Sequence, residues 1–207
     1  MTDLQLVGDY NKSNVLCAAA LAEAAGVPHD AIQAVIPTLR PRWGRLEEVK
    51  SKSEKVKSRV FVDFAHTPDG LEKVLAAARG FTPEGGKLWV VFGAGGDRDP
   101  MKRPLMGEAC AKLADRLVVT SDNPRSEDPL KIIDTILVGV NRTIEHSEQS
   151  NNVFVEPDRK RAIEYALREA AEGDVVIIAG KGHETTQEIK GVKYPFDDRG
   201  VVRNFRG

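Results

Sequence analysis

"LWVVFGAGGDRDPMKRPLMGEACAKLADRLVVTSDNPRSEDP", Leu88 to Pro129, decides the fold. It opens on a short apolar run, Leu88 to Phe92, rich in Val and Phe, which reads as a strand. A glycine cluster follows, and then a helical pattern from Leu105 to Ala114. A second strand candidate, Leu117 to Thr120, comes next. After it stands "TSDNPRSEDP", Thr120 to Pro129, whose two prolines make a rigid loop and not a helix. That loop is either a plain turn between strand and helix or a clamp for a ligand carrying both carboxylate and ammonium groups.

The same alternation extends in both directions. Further strands are expected at Val60 to Asp63, Val153 to Glu156 and Val175 to Ala179. Helices are expected at Pro68 to Ala78, Pro129 to Gly139 and Asp158 to Glu172. Such alternation predicts an α/β fold with a mostly parallel sheet and helices on both faces. "TTQEIKGVKYPFDD" reads as a small hairpin turning at Lys190-Gly191, and "SKSEKVKS", Ser51 to Ser58, as a solvated hairpin tip. The first forty residues differ. "NKSNVLCAAALAEAAGV" is an alanine-rich helix stopped at Gly26, and "PHDAIQAVIPTL" is a second short helix. "RPRWGR", with the breakers Pro41 and Gly44, is a joint, which divides the chain into 1–40 and 41–207.

Composition removes several function classes. A formal net charge of -1 gives no broad attraction to nucleic acid or an anionic membrane, so a ligand must be recognised by local charge. No apolar run approaches the ~20 residues of a membrane span. The start of the chain has no basic-then-apolar leader pattern, so the expectation is a cytoplasmic protein. Cys17 and Cys110 stand in no metal-ligand spacing, and both are expected to be reduced core residues.

In open α/β sheets ligands bind at the carboxyl ends of the strands, and the unusual residues cluster there. "DFAHTPD", "GAGGDRD", "SDNPRSED" and "GKGHE" each follow a strand. Gly93, Gly95 and Gly96 do not fit the dinucleotide fingerprint. They form either a tight turn or a close approach of backbone to a ligand whose carboxylate the Arg98 fork takes. Gly180, Lys181 and Gly182 lack the Ser or Thr of a phosphate loop, and His183 is either catalytic or a plain loop residue. Glu184 near Arg98 and Arg125 would give a site of both signs, as an amino acid requires. Thr67 is placed to cap a helix that starts at Pro68. That leaves Asp63 for a ribose hydroxyl pair and His66 for a base.

Taken together these loops resemble the Mur ligases, the ATP-dependent amide-bond-forming enzymes of peptidoglycan precursor synthesis, and most closely their diaminopimelate-adding, MurE type. The likeness runs from "YNKSN" to "PFDDR" and is most specific in "DFAHTPD", "GGDRD…KRPLMG", "SDNPRSEDP" and "AGKGHE". The resemblance implies a Rossmann-like C-terminal domain, 41–207, preceded by 1–40 as the helical end of the central ATP-binding domain. It implies that Arg98, Asp122, Asn123, Pro124, Arg125, Gly180 and Glu184 bind meso-diaminopimelate. It further implies that Asn14 and His66 flank adenine, Asp63 holds the ribose and Arg45 reaches the phosphates. ATP and Mg2+ would be bound mainly by a central domain, since no GxxxxGK[ST] occurs in the 207 residues. The chain then reads as a C-terminal portion, a monomer inactive by itself. The UDP-N-acetylmuramoyl dipeptide would be the acceptor for the full-length protein. Two departures are Phe64, where the family usually has tyrosine, and "DPMKRP", where a glycine-lysine run is commoner. The alternatives are a Mur-like binding module without turnover and a lysine-adding or folate-polyglutamate-type ligase domain. "DNPR" with "GKGHE" speaks against the last of these.

Overall fold

Both faces of every central strand are apolar, and this forces the layers of the molecule. The computed structural model describes residues 6, 9–40, 42–145 and 152–207. Pro41, one of the two breakers read at the joint, lies outside them. The chain divides into two compact units between Arg42 and Trp43.

In the first unit, helix α1 runs Asp9–Ala24 and Gly26 follows it at φ +88°, the left-handed stop expected there. Helix α2 spans His29–Val35 and a single 3-10 turn Ile36–Thr38. The expectation that Cys17 lies in a core is corrected: it is exposed on α1, whereas Cys110 is buried. An alanine-rich helix propagates well without burying a continuous face, so helical pattern alone did not locate a core side.

In the second unit, strands β1 (Glu47–Glu48), β2 (Arg59–Asp63), β3 (Leu88–Phe92), β4 (Arg116–Val119), β5 (Val153–Val155) and β6 (Val175–Ala179) form one sheet in the order β1-β2-β6-β3-β4-β5. β2 to β6 are parallel, and β1 is an antiparallel edge. Helices α3 (Pro68–Arg79), α4 (Lys102–Leu113) and α5 (Pro129–Ile144) pack side by side as one layer. Helices α6 (Arg159–Glu169) and α7 (Asp198–Asn204) form the other, over Val60, Val62, Val91, Val118, Val176 and Ile178. The alternate residues Phe61, Val90, Phe92 and Ile177 are equally buried towards α3–α5. Runs such as "LWVVF" and "VVIIA" are apolar throughout because neither face meets water.

Helix starts are set by local chemistry. The side chains of Thr67, Asp128 and Asp158 accept from the N–H groups of Gly70, Leu130 and Arg161, capping α3, α5 and α6. The hairpin is β7 (Thr186–Ile189) and β8 (Val192–Pro195), closed by Lys190 at φ 51° and Gly191 at φ 76°. Two consecutive positive φ values match the twist of a two-residue hairpin turn. The last strand of the parallel set, β6, inserts between β2 and β3. This topological switch opens a crevice at the carboxyl edge, where the loops after β2, β3, β4 and β6 converge.

Candidate ligand site at the carboxyl edge of the sheet

The loop after β3 and the loop after β4 are knitted into one wall. Gly96 N donates to Asn123 O at 2.9 Å, and Asp97 accepts from Ser126 through both its backbone N–H and its hydroxyl. Glu127 accepts from Asp97 N at 2.6 Å and from Arg103 Nη2 at 2.8 Å. A Cβ at Gly96 would collide with the Pro124 carbonyl oxygen. The glycine cluster therefore serves close packing of one loop on another, a role that neither a tight turn nor an approach to a ligand describes.

Below this wall lies a cleft of about 470 Å³ lined by His66, Arg98, Asp122, Asn123, Arg125, Gly180 and Glu184, together with Phe64, Lys102 and Arg103. Six of the seven residues expected to bind the amino acid are thus brought together. The seventh, Pro124, is not among the lining residues; its carbonyl accepts from Glu127 N and abuts Gly96.

Both signs of charge are present. Arg98 is exposed, its guanidinium reaching only the Asp97 carbonyl at 3.3 Å among the described residues. Arg125 Nη1 donates to Gly96 O at 2.6 Å. Glu184 Oε2 accepts from Asn123 Nδ2 at 2.9 Å and from Lys181 Nζ at 3.1 Å, which leaves Oε1 for a ligand. Burial alone would raise the Glu184 carboxyl, but the bonds from Asn123 and Lys181 and the charges of Lys181 and Arg125 hold it below the usual range. Asn123 is largely committed within the fold, since its Oδ1 also accepts from Lys181 Nζ and from Glu188 N. Lys181, set aside in the sequence because no Ser or Thr follows it, is fully buried and ties Asn123 to Glu184. Its one visible signal was a lysine between two glycines at the end of an apolar strand, where its charge must find partners indoors. Arg103 was also missed: it is buried, and its Nε has no hydrogen-bond partner among the described residues.

Asp122 is buried, and its Oδ2, without a hydrogen-bond partner among the described residues, faces Gly180. Gly180 has φ +119°, and a Cβ there would lie 2.5 Å from that oxygen, so only glycine fits. Burial pushes the Asp122 carboxyl up, more than the charges of Arg159 and Lys181 pull it down. A carboxyl raised in the fold favours the protonated native state, so its cost to stability appears as pH rises through and above the ordinary carboxylate range. Asp122→Asn is therefore expected to be at least as stable as the parent chain at pH 7, with the difference vanishing towards pH 3. Urea denaturation across that range checks this, and an Asn variant clearly less stable at pH 7 than at pH 3 relative to the parent refutes it.

The residues expected at the nucleotide behave differently. Arg45 lies over the Phe64 ring, 4.9 Å from its centroid. His66 and His183 flank the same ring at 4.6 and 5.0 Å. His66 Nδ1 is 2.7 Å from Phe64 O, and its ring is exposed. Asp63 is buried, with Oδ2 accepting from Leu46 N at 2.7 Å and Oδ1 from Ala65 N at 2.8 Å. Both oxygens already fasten backbone, so a ribose hydroxyl would have to share one. Asn14 is exposed on α1, in the first unit. No group of three or more His, Cys, Asp or Glu suited to a metal occurs among the described residues.

Fold and cleft together define a class: a doubly wound α/β domain with a polar, mixed-charge ligand cleft at its topological switch. A family model described as "Mur ligase, glutamate ligase domain" matches residues 44–182. The chain belongs to the Mur ligase family. It is 48% identical over 202 residues, 98% of its length, to the UDP-N-acetylmuramoyl-L-alanyl-D-glutamate–2,6-diaminopimelate ligase of Thermosynechococcus vestitus. It is 47% identical over 202 residues to the enzyme of that name from Aquifex aeolicus. In both cases it spans 39% of the relative's length. Among solved structures, one bearing that enzyme name superposes with a TM-score of 0.71 at 39% identity, over 95% of this chain and 38% of the other. A folylpolyglutamate synthase from Thermotoga maritima, at 22% identity and TM-score 0.61 over 86% of this chain and 37% of the other, shares the fold.

Proposed function

We propose that this chain is the amino-acid-binding portion of an ATP-dependent ligase that adds meso-diaminopimelate to UDP-N-acetylmuramoyl-L-alanyl-D-glutamate. The observation that carries this reading is the convergence of Arg98 and Arg125 with Glu184 and Asp122 in one cleft at the switch edge. Meso-diaminopimelate bears carboxylate and ammonium groups at both ends, and the cleft offers guanidinium forks for the former and carboxylates for the latter. The relatives' names, UDP-N-acetylmuramoyl-L-alanyl-D-glutamate–2,6-diaminopimelate ligase, support the same substrate.

In this reaction class the acceptor glutamate carboxylate is activated as an acyl phosphate at the expense of ATP, and the diaminopimelate amine then displaces phosphate. The part assigned to this chain is to hold that amine in line. Positioning of this kind is worth up to ~7–11 kcal/mol in well-oriented reactions. Arg45, stacked on Phe64, and exposed His66 are the groups this unit offers to a nucleotide. Asp63 is the third nucleotide contact proposed in this unit, and Asn14 is the one proposed in the first unit. Mg2+ and most of the ATP contacts are assigned to a part of the ligase carrying a phosphate loop, which these 207 residues do not contain. The same reading makes the protein cytoplasmic and monomeric, with residues up to about Arg40 contributed by the ATP-binding domain.

Calorimetry on the purified chain tests this. Saturable binding of meso-diaminopimelate is expected, with L-lysine weaker, and without phosphate release from added ATP. Equal affinity for the two amino acids would favour a lysine-type or non-selective domain. Diaminopimelate-dependent phosphate release would show that the phosphate site has been misassigned.

A further inference from the structure

Arg125 is held in a backbone conformation that residues other than glycine seldom adopt, φ 52°. What holds it there is the hairpin strand β7. Arg125 N donates to Glu188 O at 3.0 Å, and Lys190 N donates to Arg125 O at 2.6 Å. The neighbouring loop residues are tied to the same strand: Gln187 Nε2 donates to Asp122 O at 2.7 Å, and Glu188 N to Asn123 Oδ1 at 2.9 Å. Glu188 reaches the guanidinium as well. Its Oε2 lies 3.7 Å from Arg125 Nε, an ion pair rather than a hydrogen bond, with both side chains largely covered. Opposite, Nη1 is pinned to Gly96 O. The fork is thus hydrogen-bonded at Nη1 and faces a carboxylate at Nε, and Nη2 has no partner among the described residues.

We infer that Glu188 is a positioning residue for substrate selection. It stops rotation of the Arg125 guanidinium about its stem, so that the fork meets the far carboxylate of the amino acid already oriented. The inference rests on the reading of the cleft as a diaminopimelate site. The physical reason is preorganisation: a fork fixed before binding loses less side-chain freedom when it engages a planar carboxylate. An opposing effect exists, because the Glu188 carboxylate also repels an incoming anion. At 3.7 Å from Nε its charge is neutralised by Arg125 itself, so orientation is assigned the larger share.

The test uses the full chain, with meso-diaminopimelate and L-lysine as probes in calorimetry. Glu188→Ala is expected to weaken meso-diaminopimelate roughly 10-fold, short of the 10²-fold that a 1 Å misplacement can cost. L-lysine, lacking the far carboxylate, is expected to change by less than about threefold, so the ratio of the two affinities falls. Glu188→Gln, which keeps the shape but removes the charge of the ion pair, should give a ratio between those of the parent and Glu188→Ala. In an Arg125→Ala background, Glu188→Ala should have no further effect on the ratio. The backbone bonds to the loop survive every one of these changes, and an unchanged thermal transition verifies the fold. If the parent chain binds neither ligand or does not prefer diaminopimelate, the reading of the cleft fails and takes the inference with it. If the preference exists and depends on Arg125, yet Glu188→Ala leaves it intact, raises it, or weakens both ligands alike, the inference alone is overturned.

Discussion

Arg125→Ala is expected to weaken meso-diaminopimelate binding by about 10²- to 10³-fold and to leave L-lysine nearly unaffected. On the proposed reading, Arg125 faces the far carboxylate, the group in which the two amino acids differ. A bidentate arginine–carboxylate pair is planar and charge-assisted, and truncating one partner of a desolvated charged pair costs about 2–5 kcal/mol, with each 1.4 kcal/mol a factor of ten. A surface pairing of Arg125 with Glu127 or Asp128 would instead be worth only about 0–1 kcal/mol. The geometry assigns those carboxylates elsewhere: Glu127 binds Arg103, and Asp128 caps α5 through Leu130 N. Arg125 instead points to Gly96 O and Glu188. Isothermal titration of the two amino acids against parent and variant decides the matter. A diaminopimelate affinity within a few-fold of the parent would make this loop a turn and remove the substrate assignment.

A second large effect is expected at the strut beneath the site. Asp198→Ala should destabilise the fold by about 3–5 kcal/mol, because it strands a fully buried guanidinium. Arg159 and Asp198 form a two-pronged pair, with Nε to Oδ1 and Nη2 to Oδ2 both at 2.8 Å and neither side chain exposed. Burial alone would lower the Arg159 guanidinium, but the charge and hydrogen bonds of Asp198 keep it firmly protonated. Arg159 Nη2 also donates to Ala179 O at 3.0 Å, at the end of β6, and Nη1 reaches Ser121 O at 3.4 Å, beside the clamp loop. One side chain therefore joins α6, α7, β6 and the loop after β4. For a chain of this length the loss corresponds to a drop in Tm of roughly 6–20 °C. Replacing both partners by apolar residues, Arg159→Met with Asp198→Leu, should recover much of it, since no charge is then left unpaired. A single Asp198→Ala variant within about 1 kcal/mol of the parent in urea denaturation would show that water reaches the pair.

What the sequence determined by itself was whatever depends on a few neighbouring residues. Short runs such as "VVIIA" set the strands, and the class of fold follows from their alternation with helices. Thr67, Asp128 and Asp158 set helix starts because a cap bonds to N–H groups two or three residues on. Lys190-Gly191 set the hairpin turn through its own φ angles. The loops that line the candidate site were legible for the same reason, as charged or glycine-rich segments directly after strands. The tertiary structure alone decided how they meet. The insertion of β6 between β2 and β3 cannot be read from local pattern, since any order of the strands satisfies the same alternation. That insertion brings Glu184 to Asn123 across 61 positions of sequence and makes Lys181, which fits no phosphate loop, a buried cross-link. Docking of β7 against the "DNPR" loop, which makes Glu188 a neighbour of Arg125, has no signature in either segment. The exposure of Cys17 went the other way: an alanine-rich helix has no apolar stripe to say which side is covered, so composition suggested a core that the fold does not provide there.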